Sequence, residues 1–97
     1  MKKELIFELM KDTNLRMYNK FHVRSLKHPH DDILNKDISL SDMDIIELVK
    51  HLKLEIKEFN EAWAWRKFLN VQDECIDIMN MCFLIHHTIE HKYPNHP

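Results

Sequence analysis

Four acids stand out by their spacing. Glu55 and Glu58 are three residues apart, as are Glu74 and Asp77, and all four fall within residues 54–80, LEIKEFNEAWAWRKFLNVQDECIDIMN. Residues at i and i+3 share one face of a helix, so each pair aims two carboxylates the same way. Apolar residues recur at helical spacing around both pairs: Leu48, Leu52, Ile56, Phe59 and Trp63, then Val71, Cys75, Ile78, Cys82 and Ile85. Each pair therefore borders a core stripe, away from the opposite face where surface charge belongs. If the two helices fold back on one another, four carboxylates converge, and such a cluster repels itself unless a divalent cation sits in it. A donor set of oxygens alone selects Mg2+ or Mn2+ over zinc.

The elements that must position these acids are two helices, over about 41–67 and about 71–91. The first has no glycine or proline to break it, and good helix formers throughout. Ser39 and Ser41 each precede an Asp by three residues, Asp42 and Asp44, close to a capping box. Asn70 is placed to cap the second helix, with Asp73 and Glu74 in a first turn where the helix dipole favours acids. Proline at position 94 sets its end near 90–92. With a turn at about 66–70, Glu58 and Asp77 each lie about two turns from it and stand level in an antiparallel pair. Glu55 then falls opposite Asn80 or Met81, and Glu74 nearer Glu61 and Ala62. Glu61, one turn beyond Glu58, is a further ligand or the base that activates water.

The pattern of ExxE, a gap of fifteen residues, then ExxD, followed through the WAW element at 63–65, resembles the signature of the MazG-like all-α nucleoside triphosphate pyrophosphohydrolases. That superfamily includes dCTP pyrophosphatases, dimeric dUTPases and phosphoribosyl-ATP pyrophosphohydrolase. The resemblance spans about 45–89, roughly half of the chain. It implies that Glu55, Glu58, Glu74 and Asp77 are metal ligands and that Trp65 contacts the base. It also implies that an N-terminal helix borders the nucleotide pocket, which brings Asn14, Arg16, Asn19 or Lys20 within reach of substrate. Attack at the α–β phosphate linkage follows from the family alone.

Ninety-seven residues make one domain, 1–97, with a net charge of −2 and mixed charges. That is a poor electrostatic footprint for nucleic acid, which wants a basic face. A chain with no glycine has no easy tight hairpins and is unlike a β-rich protein. Cys75 and Cys82 are seven apart in one helical stripe, about two turns or ~10 Å along the axis, too far for a disulfide. They read as buried thiols in a reducing compartment. The N-terminus MKKELIFELMKD is too acidic and broken for a signal peptide, and no apolar run is long enough for a bilayer. A cytoplasmic protein with no membrane partner is expected. Over 3–23 the apolar residues read as a helix interrupted near 11–14, packing across the hairpin. Periodicity fails from 25 to 40, which reads as a surface loop or lid.

Competing chemistries are less well furnished. His30–Asp31 matches the paired ligands of HD-type phosphohydrolases, but the other ligands are not evident. His87-Thr88-Ile89-Glu90-His91 matches the inverted zincin pattern, but that chemistry needs a third protein ligand and a cleft downstream, and the sequence runs only six residues further. Adventitious transition-metal binding by His86, His87 and His91 is the simpler expectation. Without glycine there is no phosphate loop, so a triphosphate relies on metal plus Lys and Arg, with Arg66 and Lys67 beside the turn. Asn80, one turn after Asp77, can hydrogen-bond a phosphate, a sugar or a metal-bound water. The expected protein is an all-α bundle built on a long antiparallel hairpin. Its expected activity is Mg2+-dependent hydrolysis of a nucleoside triphosphate to monophosphate and pyrophosphate, with Glu58 or Glu61 as the base. A homodimer or dimer of dimers is expected, since four helical segments in so short a chain leave wide apolar faces. A phosphoribosyl-ATP pyrophosphohydrolase-like enzyme and a non-enzymatic helical interaction module are the alternatives.

Overall fold

A computed structural model of the chain describes residues 1–27 and 43–95, the side chains of 23–27 excepted. The described residues form three α-helices and no strand: α1 (Lys3–Lys27), α2 (Ile45–Ala64) and α3 (Phe68–Lys92). The chain divides into two compact units, Met1–Asp37 and Ile38–Pro97. The loop expected over 25–40, His30–Asp31 within it, and the serines at 39 and 41 lie largely outside the described residues.

In the first unit, α1 runs without the interruption expected near 11–14. Asp12 pairs one turn onward with Arg16, Oδ2 to Nε at 2.9 Å, an i,i+4 contact that supports a continuous helix. Lys11 lies over the Phe7 ring, 4.8 Å from its centroid.

In the second unit, α2 and α3 form an antiparallel hairpin. Asp44 caps α2: its backbone is extended and its Oδ1 accepts from the Ile46 amide at 2.9 Å. At the far end of the hairpin, Thr88 donates to Met43 Sδ at 3.5 Å, and the Lys92 ammonium donates to the Met43 carbonyl. Near the turn, the Trp63 and Phe68 rings sit 6.3 Å apart. Thr88, Asn80, Met81 and Ala62 are the buried residues of the seam. Pro94 follows the last helical turn, and α3 ends at Lys92 as its position requires.

The turn is tighter than expected. Only residues 65–67 separate the helices, so α2 ends earlier than 67 and α3 begins before 71. Three residues suffice because α2 ends in a complete Schellman motif: the Lys67 amide bonds the Ala62 carbonyl at 2.9 Å and the Arg66 amide bonds that of Trp63 at 3.0 Å. Such a motif requires a left-handed residue, usually glycine. With none in the chain, Arg66 adopts φ +53°. Lys67 occupies the cap position of α3 with no side-chain cap bond, and Asn70 lies inside the first turn of α3.

The apolar stripes are less enclosed than their spacing suggests. Ile56 is 42% exposed and Trp63 49%, and Cys82 is exposed while Cys75 is half-buried. The expectation of two buried thiols thus fails for Cys82. No described helix is long and apolar enough to cross a membrane.

Candidate carboxylate site

The acids lie on the inner face of the hairpin. Glu55, Glu58, Glu74 and Asp77 are all half-buried, where the i,i+3 spacing turns them toward the partner helix. One carboxylate oxygen from each of Glu55, Glu58 and Glu74 lies within 4.8 Å of the others. The three-residue turn creates this trio. It shifts the register so that Glu74 meets Glu55 and Glu58, where the longer turn had set Glu58 level with Asp77. Asp77 stands outside the close trio, but its charge reaches both Glu55 and Glu74.

Packing these groups together perturbs their protonation. Glu74 is pushed up to about 8, chiefly by burial, then by its hydrogen bond to Glu55 and by the negative charges of Glu55, Asp77 and Glu58. Glu55 is also raised, again chiefly by burial, although the hydrogen bond from Glu74 pulls it back down. Glu74 therefore keeps its proton at neutral pH and hydrogen-bonds Glu55. The Oε2 atoms of both residues are buried, and no donor from outside the cluster reaches either. Either that proton or a cation must lie between them, because buried acceptors without donors are costly. The opposite oxygen of Glu55, Oε1, is held by His51 Nε2 at 3.0 Å. His51 had no place in the sequence reading, although its i,i+4 spacing to Glu55 was visible.

Beside the trio lies an open depression of about 380 Å³ lined by Glu58, Glu61, Ala62, Trp65, Lys67, Asn70 and Glu74. It gathers both base candidates, Glu58 and Glu61, with Trp65 and Lys67. Trp65 is 77% exposed at the hairpin's tip. Arg66 is not among the lining residues. Its guanidinium packs 4.2 Å over the Trp63 ring, and Nη1 donates to the Trp63 carbonyl. Asn80 is buried at 6% exposure, one turn beyond Asp77 on α3. Asn14 and Lys20 are on α1, in the other unit. Family models, curated proteins and solved structures contain no match to the chain.

A second group of ligand-type atoms lies along α3. His86 Nε2 is 3.3 Å from Glu90 Oε1, and His87 Nδ1 is 3.5 Å from Glu90 Oε2. The side chains of His86 and Glu90 are more than 60% exposed. The Phe83 ring lies 4.5 Å from that of His87. Ordinary i,i+3 and i,i+4 helix-surface pairing accounts for these contacts.

Proposed function

We propose that this chain is a divalent-metal-dependent nucleoside triphosphate pyrophosphohydrolase of the MazG-like kind, acting at the hairpin's carboxylate cluster. One observation carries the reading: three glutamates converge on the inner seam of a two-helix hairpin, with two buried oxygens that no donor from outside the cluster serves. The residues fit a hard cation such as Mg2+ or Mn2+, since the donors are all carboxylate oxygens and their combined charge needs neutralising. Glu55, Glu58, Glu74 and Asp77 would hold it. The chemistry supplied by the cation is neutralisation of the triphosphate charge and a lowered pKa for water.

The chain's own residues do the rest. Glu58 and Glu61 both line the depression, and one of them would take a proton from water attacking a phosphate there. Trp65 offers an exposed ring for a base to stack on, and Lys67 offers a cation toward the phosphates. Arg66 has the weaker claim of the two basic residues, because its guanidinium is committed to Trp63. Asn14 and Lys20 remain candidates from α1 by resemblance alone, as does Asn80 from α3.

A phosphoribosyl-ATP pyrophosphohydrolase would use the same acidic scaffold, and the exposed Trp65 favours the dNTP branch over it. A non-enzymatic interaction module is favoured by different residues, the exposed Trp65, Phe68 and Leu69 at the hairpin tip. Thermal melts with and without Mg2+ separate it from the enzyme reading. Wild type should gain stability by mass action, about 2.7 kcal/mol at a hundredfold excess over Kd. Glu58→Gln and Asp77→Asn should lose most of that gain. Equal shifts in all three proteins would mean that the cluster is not a metal site.

A further inference from the structure

The Glu55 side chain is only 13% exposed, and its two oxygens have different surroundings. Oε1 lies 3.0 Å from His51 Nε2, one helical turn earlier on α2, while Oε2 is buried and meets no donor from outside the acidic cluster. A carboxylate is planar, so holding one oxygen fixes the direction of the other. An unheld glutamate would otherwise sample its terminal rotamers and lose that freedom only on binding. An ionised carboxylate can only accept, so in this contact Nε2 is the ring nitrogen that carries the hydrogen.

We propose that His51 is a positioning residue for the cation site, its Nε2–H holding Glu55 Oε1 so that Oε2 stays directed for coordination. The inference rests on the metal-site reading above. It goes beyond that reading because His51 lies outside the ExxE and ExxD pairs and donates to a ligand without being one. Metal-binding carboxylates are commonly oriented in this way by a second group, and removing that group typically weakens metal affinity ten- to a hundredfold. The same helix supplies an internal control. Lys50 Nζ lies 3.3 Å from Glu47 Oε1, and both side chains are about two-thirds exposed, so this pair has no carboxylate in the seam to orient.

The test is a titration of the full chain with Mn2+ at fixed pH, following free Mn2+ by electron paramagnetic resonance, with folding checked by circular dichroism. His51→Ala should weaken Mn2+ binding about ten- to a hundredfold, while His51→Gln, which presents an N–H near the same place, should stay within about threefold of wild type. Lys50→Ala should bind as wild type does, and Glu58→Gln should lose the site. Loss of binding in Glu58→Gln with full binding in His51→Ala would overturn the positioning role and leave the metal site standing. Failure of His51→Gln to recover affinity would also overturn the hydrogen-bond role. Absence of saturable Mn2+ binding in wild type would overturn both readings.

Discussion

Burial and charge set the behaviour of single residues at the seam. Glu74 holds its proton up to about pH 8 in the folded chain, against an ordinary value of 4.5. Between those values the folded state binds a proton that the unfolded state has released. The contribution of this proton to the stability of the metal-free protein is therefore fully present below about pH 4.5 and is lost as the pH rises toward about 8. Urea midpoints taken from about pH 5 to about pH 8 should fall more steeply for wild type than for Glu74→Gln, which cannot titrate there. Parallel slopes would contradict the assignment. A divalent cation must displace the same proton, so affinity for it should rise across that window. Removing a charge elsewhere in the cluster should relieve repulsion: Glu58→Gln and Asp77→Asn should be at least as stable as wild type without metal. Ordinary surface acids would change stability by less than ~0.5 kcal/mol in either direction. The acids were legible in the sequence because i,i+3 spacing beside an apolar stripe is a property of one helix. The Glu55–Glu74 contact was not, because it depends on where the second helix begins. His51 could have been found from its i,i+4 relation to Glu55 had that glutamate been asked for a second partner.

At the scale of elements, the turn decides the site. Both helices were legible from apolar periodicity, and the end of α3 from Pro94. The end of α2 was not, because the usual sign of a Schellman ending is glycine and this chain has none. Arg66 takes the left-handed position instead. For a residue with a Cβ that conformation costs roughly 1–2 kcal/mol, partly offset here by the guanidinium's contact with Trp63. Arg66→Gly and Arg66→Ala both lose that contact but differ in tolerance of φ +53°. The glycine variant should be the more stable by ~1 kcal/mol in denaturant unfolding. Equal stability would mean that the turn relaxes out of this conformation. At the other end of α2, Asp44→Ala should cost about 1 kcal/mol by removing the cap on the Ile46 amide. The early start of α3 was hidden for a related reason: Lys67 provides no side-chain cap, so Asn70 was the residue that looked like one.

At the scale of the whole molecule, the fold class was legible and the assembly is the open physical question. Ala62 and Met81 are the buried apolar residues among those described, while Leu54, Phe68, Leu69 and Phe83 are each about half exposed or more. A domain this small gains little from so few buried side chains, so we expect a homodimer or dimer of dimers that covers these faces. Light scattering at micromolar concentration should give a multiple of the chain mass of 11.9 kDa, and the thermal midpoint should rise with protein concentration. A folded monomer with a concentration-independent midpoint would count against assembly without touching the chemistry.

The chemistry is tested most directly by product analysis. Purified protein with Mg2+ is offered a panel of ribo- and deoxynucleoside triphosphates, and pyrophosphate is scored against orthophosphate. The account predicts pyrophosphate and nucleoside monophosphate in equal amounts from at least one substrate, with turnover abolished in Glu58→Gln. Orthophosphate as the sole product, or pyrophosphate release that survives Glu58→Gln undiminished, would contradict it.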